Sequence, residues 1–310
     1  MILSALDNDT IFVLLLLDLS AAFDTIDQKI LLSCLNSVFG IQSTARQWFQ
    51  SYLSDRYQSI SVNDSSSSPS QLIYGVPQGS VLGPVLFVLY TAPLSDIIAY
   101  NHSVNHQLFA DDTQLQKSVT LTEVTNLTQE LITCTDDIKT WMRKNQLKLN
   151  NDKTEALLFP FSSSLKPSTV SLPDSITLGS HNIPFSDSAR NLGFILYSKL
   201  STKKHVIKIC QTAYLELKRI SLISRFLIED AAKTLVTSYI LSRLDYCNCL
   251  LMGTPNSVIQ PLQKIQNFAA RLVLLAPHHH HSTPLLKKNC SGVPFQNVLS
   301  IRLLESVSML

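Results

Sequence analysis

Short apolar runs alternate with amphipathic stretches along most of this chain. The first run, Ile11 to Leu17, stops abruptly at Asp18. An apolar run of that length, followed by small residues, reads as a buried strand. Ile30, Leu31, Leu32, Leu35 and Val38 then recur at helical spacing, with Gly40 placed to stop the helix. A second helix is predicted over Ser43 to Leu53, opened by a Ser/Thr cap and carrying Trp48, Phe49 and Leu53. Tyr57 to Val62 and Gln71 to Tyr74 read as a hairpin whose loop is the serine run Ser65 to Ser68.

Gly75-Val76-Pro77-Gln78-Gly79-Ser80 is a dense turn signal, and the apolar stretch Val81 to Tyr90 opens a buried helix near Pro84. Ser95 to Asn105 reads as a polar connection, after which Gln107 to Ala110 and Thr113 to Gln116 flank Asp111-Asp112 as two strands. A long helix over Leu121 to Lys144 presents Leu127, Leu131, Ile138 and Trp141, and Leu147 to Glu155 has strand character on both sides of a polar turn. Pro160 to Pro173 reads as a loop or linker, and Arg190 to Leu196 as a short hairpin. From Thr202 the pattern is helical: Thr202 to Ser221, Glu229 to Leu241 and Val258 to Leu275, each amphipathic with a basic face.

The 310 residues, 45% hydrophobic, suffice for two units or one elongated one. No window of about 18 uncharged apolar residues suggests a membrane span, and Asp7 and Asp9 replace the basic start of a signal peptide. An intracellular protein without a membrane partner is expected. The cysteines (34, 134, 210, 247, 249 and 290) lack zinc-site spacing and read as buried free thiols. His278 to His281 reads as a solvated loop with at most adventitious metal binding. Charge is uneven: residues 1–150 carry 8 Lys and Arg against 14 Asp and Glu, whereas residues 151–310 carry 17 against 9. An acidic part followed by a basic one suits metal ions in one place and a phosphate backbone in the other, although solvated faces can produce the same asymmetry.

Asp111-Asp112 alone usually marks a solvated turn. Between two apolar strands, with Asp18 ending a third, it instead predicts three carboxylates brought to one point. Such a cluster is tolerable mainly when divalent cations neutralise it, and hard oxygen ligands favour Mg²⁺ or Mn²⁺ over zinc. That is the minimal device for two-metal phosphoryl transfer.

In their order and spacing these motifs resemble the palm of a reverse transcriptase from a non-LTR, LINE-type retrotransposon. LDLSAAFD at 17–24 is similar to the family's first catalytic motif, GVPQGSVLGP at 75–84 to its second and FADD at 109–112 to its third. LKLNNDKTE at 147–155 resembles the fourth motif and NLGF at 191–194 the fifth, a hairpin that grips the primer. The resemblance implies an α+β fold: a right-hand polymerase palm, antiparallel sheet with packed helices, over residues 1–197, then a helical thumb-like region over 198–310. It implies that Asp18 and Asp111 hold two Mg²⁺ ions, with Asp112 completing the cluster and the Leu19 carbonyl adding a ligand. Phe23 falls where a ring excludes a ribose 2′-hydroxyl, or is an ordinary core aromatic. Gln78 and Gly79 would lie along the template base and the incoming nucleotide. Lys153 is either a general acid for pyrophosphate or a surface charge. Lys203, Lys204, Lys208, Lys218 and Arg219 would track the primer–template backbone.

The partners implied are an RNA template, a DNA primer and dNTPs; nothing identifies a protein partner. Only 17 residues precede Asp18, so an N-terminally truncated palm without fingers is expected, and Tyr197 stands where an aspartate is expected. Two other readings stay open. One is an inactive retroelement remnant that at most binds nucleic acid. The other is an RNA-dependent RNA polymerase, against which Phe23 and FADD count.

Overall fold

The computed structural model describes residues 2–8, 10–120, 123–160 and 172–277. The helix start at Leu121, most of the expected linker (161–171), Cys290 and His278 to His281 lie outside them, as does the side chain of Leu127. The contacts divide the chain into two units, Met1–Ala189 and Arg190–Leu310.

In chain order the first unit runs α1 (Ile2–Asp7), β1 (Ile11–Leu19), α2 (Gln28–Ser37), α3 (Ser43–Leu53), four short strands β2 (Tyr57–Gln58), β3 (Ser61–Val62), β4 (Ser65–Ser66) and β5 (Ser70–Gln71), then α4 (Leu82–Asn101). β6 (Asn105–Phe109), β7 (Asp112–Val119), α5 (Val124–Lys144), β8 (Leu149–Phe159), β9 (Ser175–Leu178) and β10 (His181–Pro184) follow. The strands β11 (Ser188–Asn191) and β12 (Phe194–Tyr197) pair with each other.

The main sheet has order β6-β7-β1-β8, and its pairs are antiparallel. β1 is central and buried along nearly its whole length, which is why it is written as an unbroken apolar run. Its core side chains Ile11, Val13, Leu15 and Leu17 pack with Leu31 and Leu35 of α2, Leu86, Phe87 and Tyr90 of α4, and Leu131 and Ile138 of α5. α2 starts on Asp27, whose carboxylate accepts from the backbone N–H groups of Lys29 and Ile30.

Five local expectations need correction. Ser95 to Asn101 is not a connection, because α4 continues through it: Leu94 and Ile98 extend the buried stripe begun by Leu86 and Tyr90. Pro93 lies inside that helix and cannot donate to the Leu89 carbonyl four residues back; the Cys34 thiol donates to that oxygen instead, at 3.5 Å. By length and composition α4 is also long and apolar enough to cross a membrane, its apolar run broken by Asp96. The Ser65–Ser68 run is not a simple loop: Ser65 and Ser66 pair with Val62 and Ser61 inside the outer β2–β5 pair. Gln42, not a Ser/Thr side chain, precedes α3, and Ser43 has φ +53. Of the described cysteines, Cys134 and Cys210 are buried, Cys34 and Cys247 intermediate and Cys249 exposed.

The fifth concerns the polar turn expected within Leu147 to Glu155. β8 is one strand with a wide bulge. Leu16 pairs with Glu155 and Asp18 with Asn150, so Asn151 to Thr154 stand outside the register, opposite Leu17. The Thr154 hydroxyl closes the bulge on the Asn150 carbonyl at 2.9 Å.

The second unit contains α6 (Lys203–Ile223), α7 (Glu229–Val236), a π-helical turn Thr237–Leu241, α8 (Ser242–Asp245) and α9 (Asn256–Val273). Its separate core includes Phe194, Val206, Ala213, Leu217, Val236, Ile240, Leu262, Ile265 and Ala269.

Candidate active site

Asp18 reaches the site as the penultimate residue of β1, after the core residue Leu17. β6 and β7 close as a hairpin on the Phe109–Asp112 pair, leaving Ala110 and Asp111 at the turn, with Ala110 at φ +51. A left-handed alanine costs about 1 kcal/mol or more, so the sheet enforces this turn. Leu17 pairs with Thr113, and one step further along these antiparallel strands Asp18 and Asp112 come alongside each other. The Asp112 carboxyl has its pKa pushed up, first by desolvation and then by the negative charges of Asp111 and Asp18. The three predicted aspartates are therefore electrostatic neighbours.

Lys153 projects from the β8 bulge, and its ammonium lies 3.7 Å from Asp18 Oδ2. That oxygen is buried and accepts no hydrogen bond, and Asn151 Oδ1 on the same bulge is likewise buried without a donor. A carboxylate oxygen withdrawn from water without a donor fits an oxygen-seeking cation, as does the raised pKa of Asp112. As they stand, no three His, Cys, Asp or Glu side chains among the described residues are grouped closely enough to hold an ion.

Leu19 is buried at the end of β1, opposite Leu149. Phe23 follows on a turn, with its ring centroid 4.7 Å from that of Phe87 on α4. The glycine-rich loop is laced to this turn: Val76 N–H donates to the Phe23 carbonyl at 3.0 Å and Gly75 N–H to the Ile26 carbonyl at 2.8 Å. Gly75 has φ +83, and a Cβ there would lie 3.1 Å from the Phe23 and Asp24 carbonyl oxygens, so this close approach requires glycine. Gln78 Nε2 donates to Asp24 Oδ1 at 2.8 Å, and Gly79 has open space beside it.

Two residues in this region carry more than the sequence reading assigned them. Asp24 closes the first motif and holds Gln78; its position in LDLSAAFD was the available signal. Arg56 lines a cleft of about 640 Å³ together with Asp24, Gln28, Tyr74 and Gln78. An isolated arginine between a helix and a strand gave no pattern to read.

In the second unit, Lys203, Lys204, Lys208, Lys218 and Arg219 are all exposed on α6. At about 100° per residue they fall within an arc of roughly 160°, opposite the buried face of Val206, Cys210, Ala213, Leu217 and Ile220. Arg219 is paired with Glu216 at 3.0 Å, and the Lys204 ammonium lies 4.3 Å from the Tyr197 ring centroid.

Residues 4–196 match the profile of the reverse transcriptase (RNA-dependent DNA polymerase) family, and the chain belongs to that family. It is similar to the probable RNA-directed DNA polymerase from transposon X-element of Drosophila melanogaster, 28% identical over 88% of this chain and 29% of that protein. Transposon BS of the same organism gives 27% over 92% and 31%. The RNA-directed DNA polymerase from mobile element jockey gives 28% over 71% and 23%. These transposon relatives agree with the LINE-type resemblance of the motifs, and the chain spans less than a third of the length of each. Among solved structures, apo telomerase from Candida tropicalis aligns with 93% of this chain and 46% of its own, with 10% identity and a TM-score of 0.47.

Proposed function

We propose that this chain is the catalytic portion of a retrotransposon reverse transcriptase, extending a DNA primer along an RNA template with dNTPs inside the cell. The observation that carries this reading is the juxtaposition of Asp18 with the Asp111–Asp112 turn, where a buried carboxylate oxygen that accepts no hydrogen bond and a carboxyl of raised pKa stand together. Asp18 and Asp111 would hold two Mg²⁺ ions, or Mn²⁺, with Asp112 and the Leu19 carbonyl completing the oxygen set. When bound, the ions acidify the primer 3′-hydroxyl and neutralise charge on the phosphates.

The primer hydroxyl gives up its proton to solvent water, its oxygen forms a bond to the α-phosphorus as the bond to pyrophosphate breaks, and Lys153 supplies the proton the pyrophosphate takes up. Phe23, braced on Phe87, presents a ring to the sugar and disfavours a 2′-hydroxyl. Gln78, held by Asp24, and the open Gly79 lie along the template base and the nucleotide. Residues 1–197 act as the palm, whose β11–β12 hairpin supports the primer, and 198–310 as the thumb-like part, in which the α6 cations follow the duplex backbone.

A second reading, a remnant that binds nucleic acid without polymerising, is favoured by one observation: the aspartates do not stand as a closed cage. Primer extension on an RNA template with dNTPs decides between them. Metal-dependent extension establishes the polymerase, whereas a folded chain that binds primer–template and adds nothing is the remnant.

A further inference from the structure

Asn191 ends β11 and Phe194 begins β12, so Leu192 and Gly193 alone make the turn between them. Their φ values are +45 and +86. Two consecutive left-handed residues suit the twist of a tight hairpin, and the first position ordinarily takes Asn, Asp or Gly. A leucine there needs an external restraint.

The restraint comes from Tyr246, just after α8. Its hydroxyl donates to the Leu192 carbonyl oxygen. Its ring lies against Gly193, where an added Cβ would be 3.2 Å from Tyr246 Cε1. The returning strand is fixed separately: Ile195 N–H donates to His205 Nδ1 at 3.3 Å, and the Phe194 and His205 ring centroids are 4.0 Å apart. Thus β12 is seated on α6, and the turn itself is held by Tyr246. Tyr246 is 51% exposed and does not belong to the core of its unit. A side chain that buries little surface yet holds a backbone carbonyl and a glycine acts chiefly on the shape of that turn.

We propose that Tyr246 is a positioning residue for the primer, presenting the Leu192–Gly193 turn in the shape that meets the primer backbone; this rests on the primer role given to the hairpin above. The hydroxyl supplies the turn's hydrogen bond and the ring supplies its wall.

The test is photo-crosslinking of the full chain to an RNA template annealed to a DNA primer with thiothymidine near its 3′ end, without dNTPs, with adducts mapped by mass spectrometry. The wild type should crosslink within residues 191–197. Tyr246→Phe, which keeps the ring, should lose that adduct about three- to tenfold, the loss expected for one hydrogen bond, with Tm lowered by no more than a few degrees. Tyr239→Phe, also exposed and in the same unit, should keep it. An unchanged adduct in Tyr246→Phe, or none at the hairpin in the wild type, overturns the proposal. Extension by the same samples reports separately on the polymerase reading. If the wild type extends and its hairpin adduct ignores Tyr246, the positioning role fails and the polymerase stands; if the adduct depends on Tyr246 without extension, the reverse holds.

Discussion

The amide of Gln78 donates to the Asp24 carboxylate across 2.8 Å, joining the segment after the first aspartate to the glycine-rich loop. If this bond sets the loop for the nucleotide, Asp24→Ala and Gln78→Ala each raise the nucleotide KM, and the double variant loses little more than either. A double-mutant cycle should return a coupling of about 1 kcal/mol. Asp24→Asn retains an acceptor oxygen and should stay near wild type. Fully additive losses would show that the two residues act independently.

Asp112 makes stability depend on pH in a defined direction. Its folded pKa lies above the usual 3.8, chiefly through desolvation. The stability associated with its protonated form is complete below the unfolded value and is lost as pH rises through the folded one. At neutral pH Asp112→Asn should therefore raise Tm, and the gain should vanish below about pH 3.8. Mg²⁺ should raise the wild-type Tm and narrow the gap. A neutral-pH Tm indifferent to both changes would show that the cluster is not strained by its own charge.

Lys153 faces Asp18 at 3.7 Å but is 69% exposed, so the pair should contribute under about 1 kcal/mol to stability. As the proton donor to pyrophosphate it should contribute far more to rate. Lys153→Met is expected to lower kcat by about a hundredfold, with Tm nearly unchanged. A large loss of Tm with a modest loss of rate would make the lysine structural.

The α6 cations predict a salt-dependent, sequence-independent affinity for primer–template. Replacing Lys204 and Lys208 together with alanine should reduce the slope of log K against log salt by about 1.5 to 2. An unchanged slope would place the nucleic acid elsewhere.

The strands and turns that carry the aspartates were legible because burial on both faces of a central strand leaves an unbroken apolar run, as in Ile11 to Leu17. The helices α2, α3, α5 and α6 were legible because each buries one face only, which leaves an apolar stripe at helical spacing. What failed was the reading of polar stretches whose partners are distant in sequence. Asn151 to Thr154 resembles a turn because it leaves the ladder, yet β8 continues through it as a bulge. Ser95 to Asn101 resembles a loop, but Leu94 and Ile98 keep the α4 stripe alive while a thiol from α2 takes the carbonyl that Pro93 leaves free. Within the site, Asp18, Asp111 and Asp112 could be read from their apolar flanks. The Gln78–Asp24 bond spans 54 residues and the Tyr246–Leu192 bond another 54, separations at which no periodicity signals contact.

The most direct measurement is a Mn²⁺ titration of the wild type and of Asp18→Asn and Asp111→Asn, reading bound Mn²⁺ by electron paramagnetic resonance and RNA-templated primer extension in the same samples. The wild type should bind Mn²⁺ and extend, and each substitution should weaken binding and abolish extension together. Mn²⁺ binding that ignores both substitutions, or extension that survives them, would contradict a polymerase centre built on these aspartates.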